Sequence, residues 1–213
     1  MKMRKKEIER YFIARAIEVQ RILKDGTPWG FVCAVAFLDC LSSLVAGKDN
    51  GSRLYKDFVR NYFKIIDPKY ASFRFISGDM DLPVQLYHVF RCGIVHSFSL
   101  IPDKRSLDQG GRPHSIRLCH QKEAKAKGIS HLSNYSKGVT TDACLFVAED
   151  FGKDLGRVVK LIFSSKAKGI DANITKKMKQ WVRQHPPISG GFCGEPGRPY
   201  GGAGSRDGEP GRP

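Results

Sequence analysis

Apolar side chains recur every three or four residues near the start of the chain: Ile8, Phe12, Ala16, Val19 and Leu23 form one stripe, with Arg and Glu opposite. This spacing predicts an amphipathic helix over 5–24, ended by Asp25-Gly26. Thr27-Pro28 reads as the N-cap and first residue of a second helix, which runs to Ala46 with Gly47 just past its end. Ser52 is placed to cap a third helix whose face carries Leu54, Phe58, Tyr62 and Ile66, and which Asp67-Pro68 stops. The aromatic run 69–75 fits a turn of helix or an extended packing segment. Asp81, two residues ahead of Pro83, opens a fourth helix, with Val84, Tyr87, Val95 and either Phe90 or Ile94 available to the core.

After Leu100 the periodicity fails. Residues 102–147 read as an irregular basic insertion, a long loop or small β-hairpin, with extended candidates at 115–119 and 143–147. Helical spacing returns at Glu149 with Phe151, Leu155, Val158, Val159 and Ile162. A last helix follows Asp171 with Ile174, Met178, Trp181 and Val182, closed by His185-Pro186-Pro187. The expected fold class is therefore all-α, an antiparallel up-and-down helical bundle over 1–187 with the insertion as its one departure. Residues 188–213 are rich in Gly and Pro, and Gly-Glu-Pro-Gly-Arg-Pro occurs at 194–199 and again at 208–213. Such a tail has no means of packing a core and is expected to be disordered.

The apolar run 30–47 is nearly long enough to span a membrane. Asp39 sits at its middle, where a carboxylate costs roughly 3 kcal/mol to insert. A helix buried on most sides of a bundle accounts for the same residues, and no membrane partner is expected. The six cysteines contain no Cys-x-x-Cys pair and no secretory signal precedes them, so reduced thiols in a cytoplasmic protein are expected, without structural zinc.

Charge adds a candidate partner. Lys and Arg total 36 against 21 Asp and Glu, a net +15, with a pI near 9.7. Such a surface attracts polyanions, nucleic acid above all. Lys122, Lys125 and Lys127 in the insertion are candidate nucleic-acid contacts, whereas His114, His120 and His131 read as surface polar residues. No phosphate-binding glycine loop or nucleophile elbow is present, and no cofactor is expected.

What remains is Arg91-Cys-Gly-Ile-Val-His96. A histidine can take a proton from a ribose 2′-OH or give one to the leaving oxygen near neutral pH. An arginine beside it can fork onto the phosphate and stabilise the extra charge of the transition state. Only RNA carries the hydroxyl needed for this internal attack. On an ideal α-helix, residues five apart differ by about 140° around the axis. Either Gly93 loosens the turn, or the site is completed across a two-fold interface. His88, Cys92 and His96 share a stripe, but two His eight apart are too distant to hold one metal ion.

The run Leu86-Tyr-His-Val-Phe-Arg-Cys-Gly-Ile-Val-His96, preceded by two apolar helices and by Asp81-Leu-Pro83, resembles the HEPN superfamily of helical nucleic-acid-acting domains. It is most similar to a bacterial branch with Cys after the motif arginine. By order of elements the resemblance covers about 5–166, and by specific residues 82–98. It implies a helical bundle that dimerises so that Arg-x(4–6)-His pairs of two subunits face one another and cut RNA without metal. Arg91 and His96 would be the catalytic pair, in a hydrolase of a defence or toxin–antitoxin system. An inhibitory protein or a nucleotidyltransferase would be a further partner. Phe98 stands where toxin members often carry Tyr. The alternative is a non-catalytic dimerisation and nucleic-acid-binding module on the same helices.

Overall fold

In the computed structural model, residues 4–25, 28–49, 51–75, 81–94, 114–136 and 142–185 are described. Helix α1 (Lys5–Lys24) buries the expected stripe of Ile8, Phe12, Ala16, Val19 and Leu23. Helix α2 (Pro28–Ala46) returns along α1. Near the turn Gly30 lies against Ile22 and Leu23, and farther along the Phe37 ring is 6.2 Å from that of Phe12, so the two run in opposite directions. A Cβ on Gly30 would come within 2.8 Å of the Ile22 carbonyl oxygen and 2.9 Å of the Leu23 Cα. The close approach is therefore available to glycine alone.

Helix α3 (Ser52–Phe58) starts from Gly51 as N-cap, so Ser52 is its first residue and no side chain caps it. It passes into a π-helical turn (Val59–Phe63) and a last α turn (Lys64–Ile66) before Asp67-Pro68. The expected face of Leu54, Phe58, Tyr62 and Ile66 is corrected. Tyr55, Phe58, Val59, Tyr62 and Phe63 are buried, while Leu54 and Ile66 are not. The buried residues keep the i, i+3, i+4, i+7 spacing of an amphipathic helix, on a stripe one position over from the expected one.

After a short helix α4 (Lys69–Ser72), Asp81 opens helix α5 (Leu82–Gln85) as expected. Its Oδ1 accepts the Val84 N–H at 3.1 Å, and its Oδ2 accepts the Arg60 guanidinium at 2.7 Å. The helix continues in π winding over Leu86–Ile94. Leu82, Leu86 and Val89 are buried here, and Val84 and Tyr87, the expected core residues, are not fully covered. The side chains of Phe90 and Ile94, and Val95 altogether, lie outside the described residues, as does the tail 188–213.

The insertion corrects the all-α expectation. Strands β1 (His114–Cys119), β2 (Ser133–Ser136) and β3 (Asp142–Val147) form one mixed sheet in the order β1–β3–β2, with a short helix α6 (Gln121–Ala126) between β1 and β2. β1 runs parallel to β3, pairing His114 with Asp142 and Cys119 with Val147. β2 runs antiparallel to it, pairing Ser133 with Leu145. Ala143 to Val147 are all buried, the continuous apolar run expected of a strand covered on both faces. The chain is thus mostly helical with a small three-stranded sheet.

β3 leads directly into helix α7 (Ala148–Phe163), the main partner of α1. Lys5 Nζ donates to the Phe163 carbonyl at 3.0 Å, and Gln20 meets Gly152 near the other end, so this pair too is antiparallel. Helices α8 (Lys166–Ile170) and α9 (Ile174–Gln184) close the order. α9 lies on α2, with Lys177 against Gly47, whose φ of +72° ends α2 in the left-handed region. Among the described residues α2 is the one helix long and apolar enough to cross a membrane. Here it is packed by α1, α3, α7, α9 and the π stretch, which bury Phe31, Val35, Leu38, Leu41 and Leu44.

The α1–α2 packing generates a prediction. Gly30→Ala forces backbone against backbone, and overpacking of this kind costs about 1–3 kcal/mol. A urea titration should show a lower midpoint with an unchanged slope. A midpoint equal to the parent's would mean the helices can separate freely there.

Candidate functional site

Arg91 projects from the π stretch toward α2. Its Nη2 donates to Asp39 Oδ2 at 3.2 Å, and its guanidinium lies over the Tyr87 ring, 5.7 Å from the centroid. Tyr87 meets Tyr55 of α3 edge to face at 5.6 Å. Tyr55 is fully buried, and its hydroxyl finds no hydrogen-bond partner among the described residues. The Arg91 side chain is 23% exposed and that of Asp39 28%, so the ion pair sits at the edge of the core rather than inside it. Burial alone would lower the pKa of the guanidinium, but the Asp39 carboxylate and the Cys92 side chain hold it above its ordinary value. The same surroundings push the Cys40 thiol up to about 11, by burial first and the Asp39 charge second.

The winding of this segment changes the geometry of the Arg-x4-His spacing. In α-helix, positions i and i+4 stack. With i→i+5 bonds the turn is wider, and positions four and five apart lie on either side of one stripe. Tyr87 and Cys92 are five apart in this stretch, and Cys92 is among the groups that raise the Tyr87 pKa, after burial. His96 stands in the same relation to Arg91 by number, but it lies outside the described residues. The 140° offset that argued for completion across a two-fold interface is that of an α-helix, and the π winding is described only as far as Ile94.

The three lysines are carried on and just after α6, and all three are exposed. Lys127 is tied to Glu123 at 2.6 Å. Lys122 and Lys125 make no ion pair among the described residues. The expected basic patch therefore offers two free cations and contains a carboxylate. Among the described residues no group of three or more His, Cys, Asp or Glu could hold a metal ion.

A second polar cluster was not expected. His131, read from the sequence as a surface residue, has a side chain only 9% exposed. Its Nδ1 accepts the Val147 N–H at 3.0 Å, so the neutral ring carries its proton on Nε2. That proton points to the Tyr70 oxygen at 3.1 Å, and the Tyr70 hydroxyl in turn donates to Asp154 Oδ2 at 3.1 Å. Arg157 closes the chain on Asp154 Oδ1 at 3.2 Å. The cluster ties α4, the turn before β2 and α7 together, and Leu132 beside it takes a positive φ of 52°. Burial pushes the His131 pKa down to about 4 and that of Asp154 up to about 6. The signal for it was legible: Asp154 lies on the apolar stripe of Phe151, Leu155 and Val158.

Comparison with family models, curated proteins and solved structures returned no match for the chain.

The buried cluster makes a pH prediction with opposed signs. His131, with its pKa depressed from 6.5, contributes stability that is full above about 6.5 and is lost as pH falls toward about 4. Asp154, with its pKa raised from 3.8, contributes stability that is full below about 3.8 and is lost as pH rises through about 6. Between about 4 and 6 the two slopes cancel. Asp154→Asn should therefore lose stability relative to the parent on acidification across this window, by about 1 kcal/mol per pH unit. His131→Asn, which keeps an acceptor for Val147, should gain by a similar amount. Urea titrations at several pH values read this directly; curves parallel to the parent's would show that the pair does not titrate as described.

Proposed function

We propose that the protein is a metal-independent endoribonuclease of the HEPN type. Arg91 would clamp the scissile phosphate and His96 act as acid and base. The 2′-oxygen attacks phosphorus, the bond to the 5′-oxygen breaks, and the proton taken from the 2′-OH is matched by one given to the leaving oxygen. The observation that carries this reading is the π winding through Leu86–Ile94. Stretches of this kind are rare and often found at functional sites, and five residues is the interval of their hydrogen bond. Asp39 and the Tyr87 ring add support, because they hold a partly exposed guanidinium in one orientation. The antiparallel bundle, the homodimer, an inhibitory partner and a cytoplasmic defence role belong to the same proposal and rest on the resemblance.

A second reading has its own observation. The Arg91–Asp39 pair also suits a purely structural arginine that satisfies a carboxylate on an apolar helix. The protein would then be a non-catalytic dimerisation and nucleic-acid-binding module.

Incubation of the full chain with mixed RNAs in EDTA separates the two. The enzyme reading expects fragments ending in 2′,3′-cyclic phosphate from the parent. Arg91→Ala and His96→Ala should each lose at least about 10²-fold in rate. Arg91→Lys should not restore it, because a point charge cannot reproduce the bidentate fork. Intact RNA from the parent, or cleavage by His96→Ala at the parent's rate, leaves the binding module.

A further inference from the structure

A concentration of positive charge lies away from both the Arg91 site and the expected lysine patch. Over 166–184, six cations face one carboxylate, a net +5 and thus one-third of the chain's +15. The one carboxylate, Asp171, is taken by Lys177 at 2.6 Å on the side that packs against α2. The helices α1, α3 and α7 each offset a cation with an acid three or four residues away. α8 and α9 contain no acid at all.

Burial of Ile174, Met178 and Val182 turns Lys176, Lys179 and Arg183 to the outer face of α9. There they border a groove of about 630 Å³ whose other side is Lys168 of α8, and whose remaining polar lining includes Asn173, Thr175 and Gln180. None of the four cations makes an ion pair among the described residues. Along the axis Lys176, Lys179 and Arg183 span about 10 Å. Charges strung out in this way suit a row of phosphates better than one small anion, which needs donors converging on a point. Among the described residues no aromatic ring lines the groove, so it lacks a platform for stacking bases.

We infer that the α8–α9 groove binds the sugar–phosphate backbone of single-stranded RNA without regard to sequence. The inference rests on the RNA reading above but not on cleavage. Phosphates lie along Lys176, Lys179 and Arg183, and the neutral side chains reach the sugars.

The test uses the full chain and a fluorescent 2′-O-methyl oligoribonucleotide, which lacks the attacking hydroxyl and reports binding alone. The parent should bind with steep salt dependence. Lys176→Ala/Lys179→Ala/Arg183→Ala should bind roughly tenfold or more weakly and flatten the log–log salt slope by about 2, near 0.7 for each phosphate no longer neutralised. The same positions changed to Gln should behave alike, and circular dichroism should show parent-like melting for both. Lys6→Ala/Arg10→Ala/Lys24→Ala removes equal charge from α1 and should stay close to the parent. The inference is overturned if the parent does not bind, if the α9 variants keep the parent's affinity and slope, or if the α1 variant matches their loss. Equal affinity for poly-glutamate would overturn it too, assigning the groove to an acidic protein instead. A parent that binds but never cleaves ordinary RNA removes the enzyme and leaves the groove standing.

Discussion

Helix α2 imposes the constraint on which the rest of the structure depends: an apolar helix that must be covered on nearly every side and that carries one carboxylate near its middle. Burying its side chains favours folding at about 25 cal/mol per Å² of apolar surface. This requires neighbours on several sides, and α1, α3, α7, α9 and the π stretch supply them. Asp39 cannot be treated the same way, since an unpaired charge in such a place is costly. Its ion pair with Arg91 lets the carboxylate remain at the core's edge. The packing of the helices and the placing of the candidate arginine are thus consequences of one helix.

Much of the helical frame was legible because it is local. The stripe from Ile8 to Leu23 and the stop at Gly47 are statements about neighbouring residues, and the structure reproduces them. The same holds for Asp81, whose N-cap role needs only the Val84 amide three residues on. The π turns were not legible, since nothing in Val-Arg-Asn-Tyr-Phe distinguishes i→i+5 from i→i+4 bonding until the tertiary environment selects it. Tyr55 and Val59 stand in the core in place of Leu54 and Ile66 because the buried stripe lies one position over, a choice that the apolar pattern of this segment leaves open. The sheet was missed for a different reason: β1 and β3 pair residues 28 positions apart in the sequence, and a parallel pairing leaves no hairpin turn to read.

Of the candidate site, the residues were legible but not their partners. Arg91 and Asp39 each attract notice, one in a motif and the other as a lone acid among apolar side chains. Only the fold puts them 3.2 Å apart. His131 was misjudged because a lysine-rich, glycine-rich sequence neighbourhood says surface, while its ring is captured by Tyr70 and Asp154 from distant helices.

The direct junction of β3 with α7 bears on the order of assembly. Val147 is at once the last residue of the central strand and the N-cap of the helix. Once α7 docks on α1, the direction and height of β3 are set, with no linker left to search. β1 and β2 then add to its two edges, each closing a modest loop whose entropy cost grows only slowly with length. The sheet is in this sense templated by the helices, with the buried β3 as the strand on which the other two are laid.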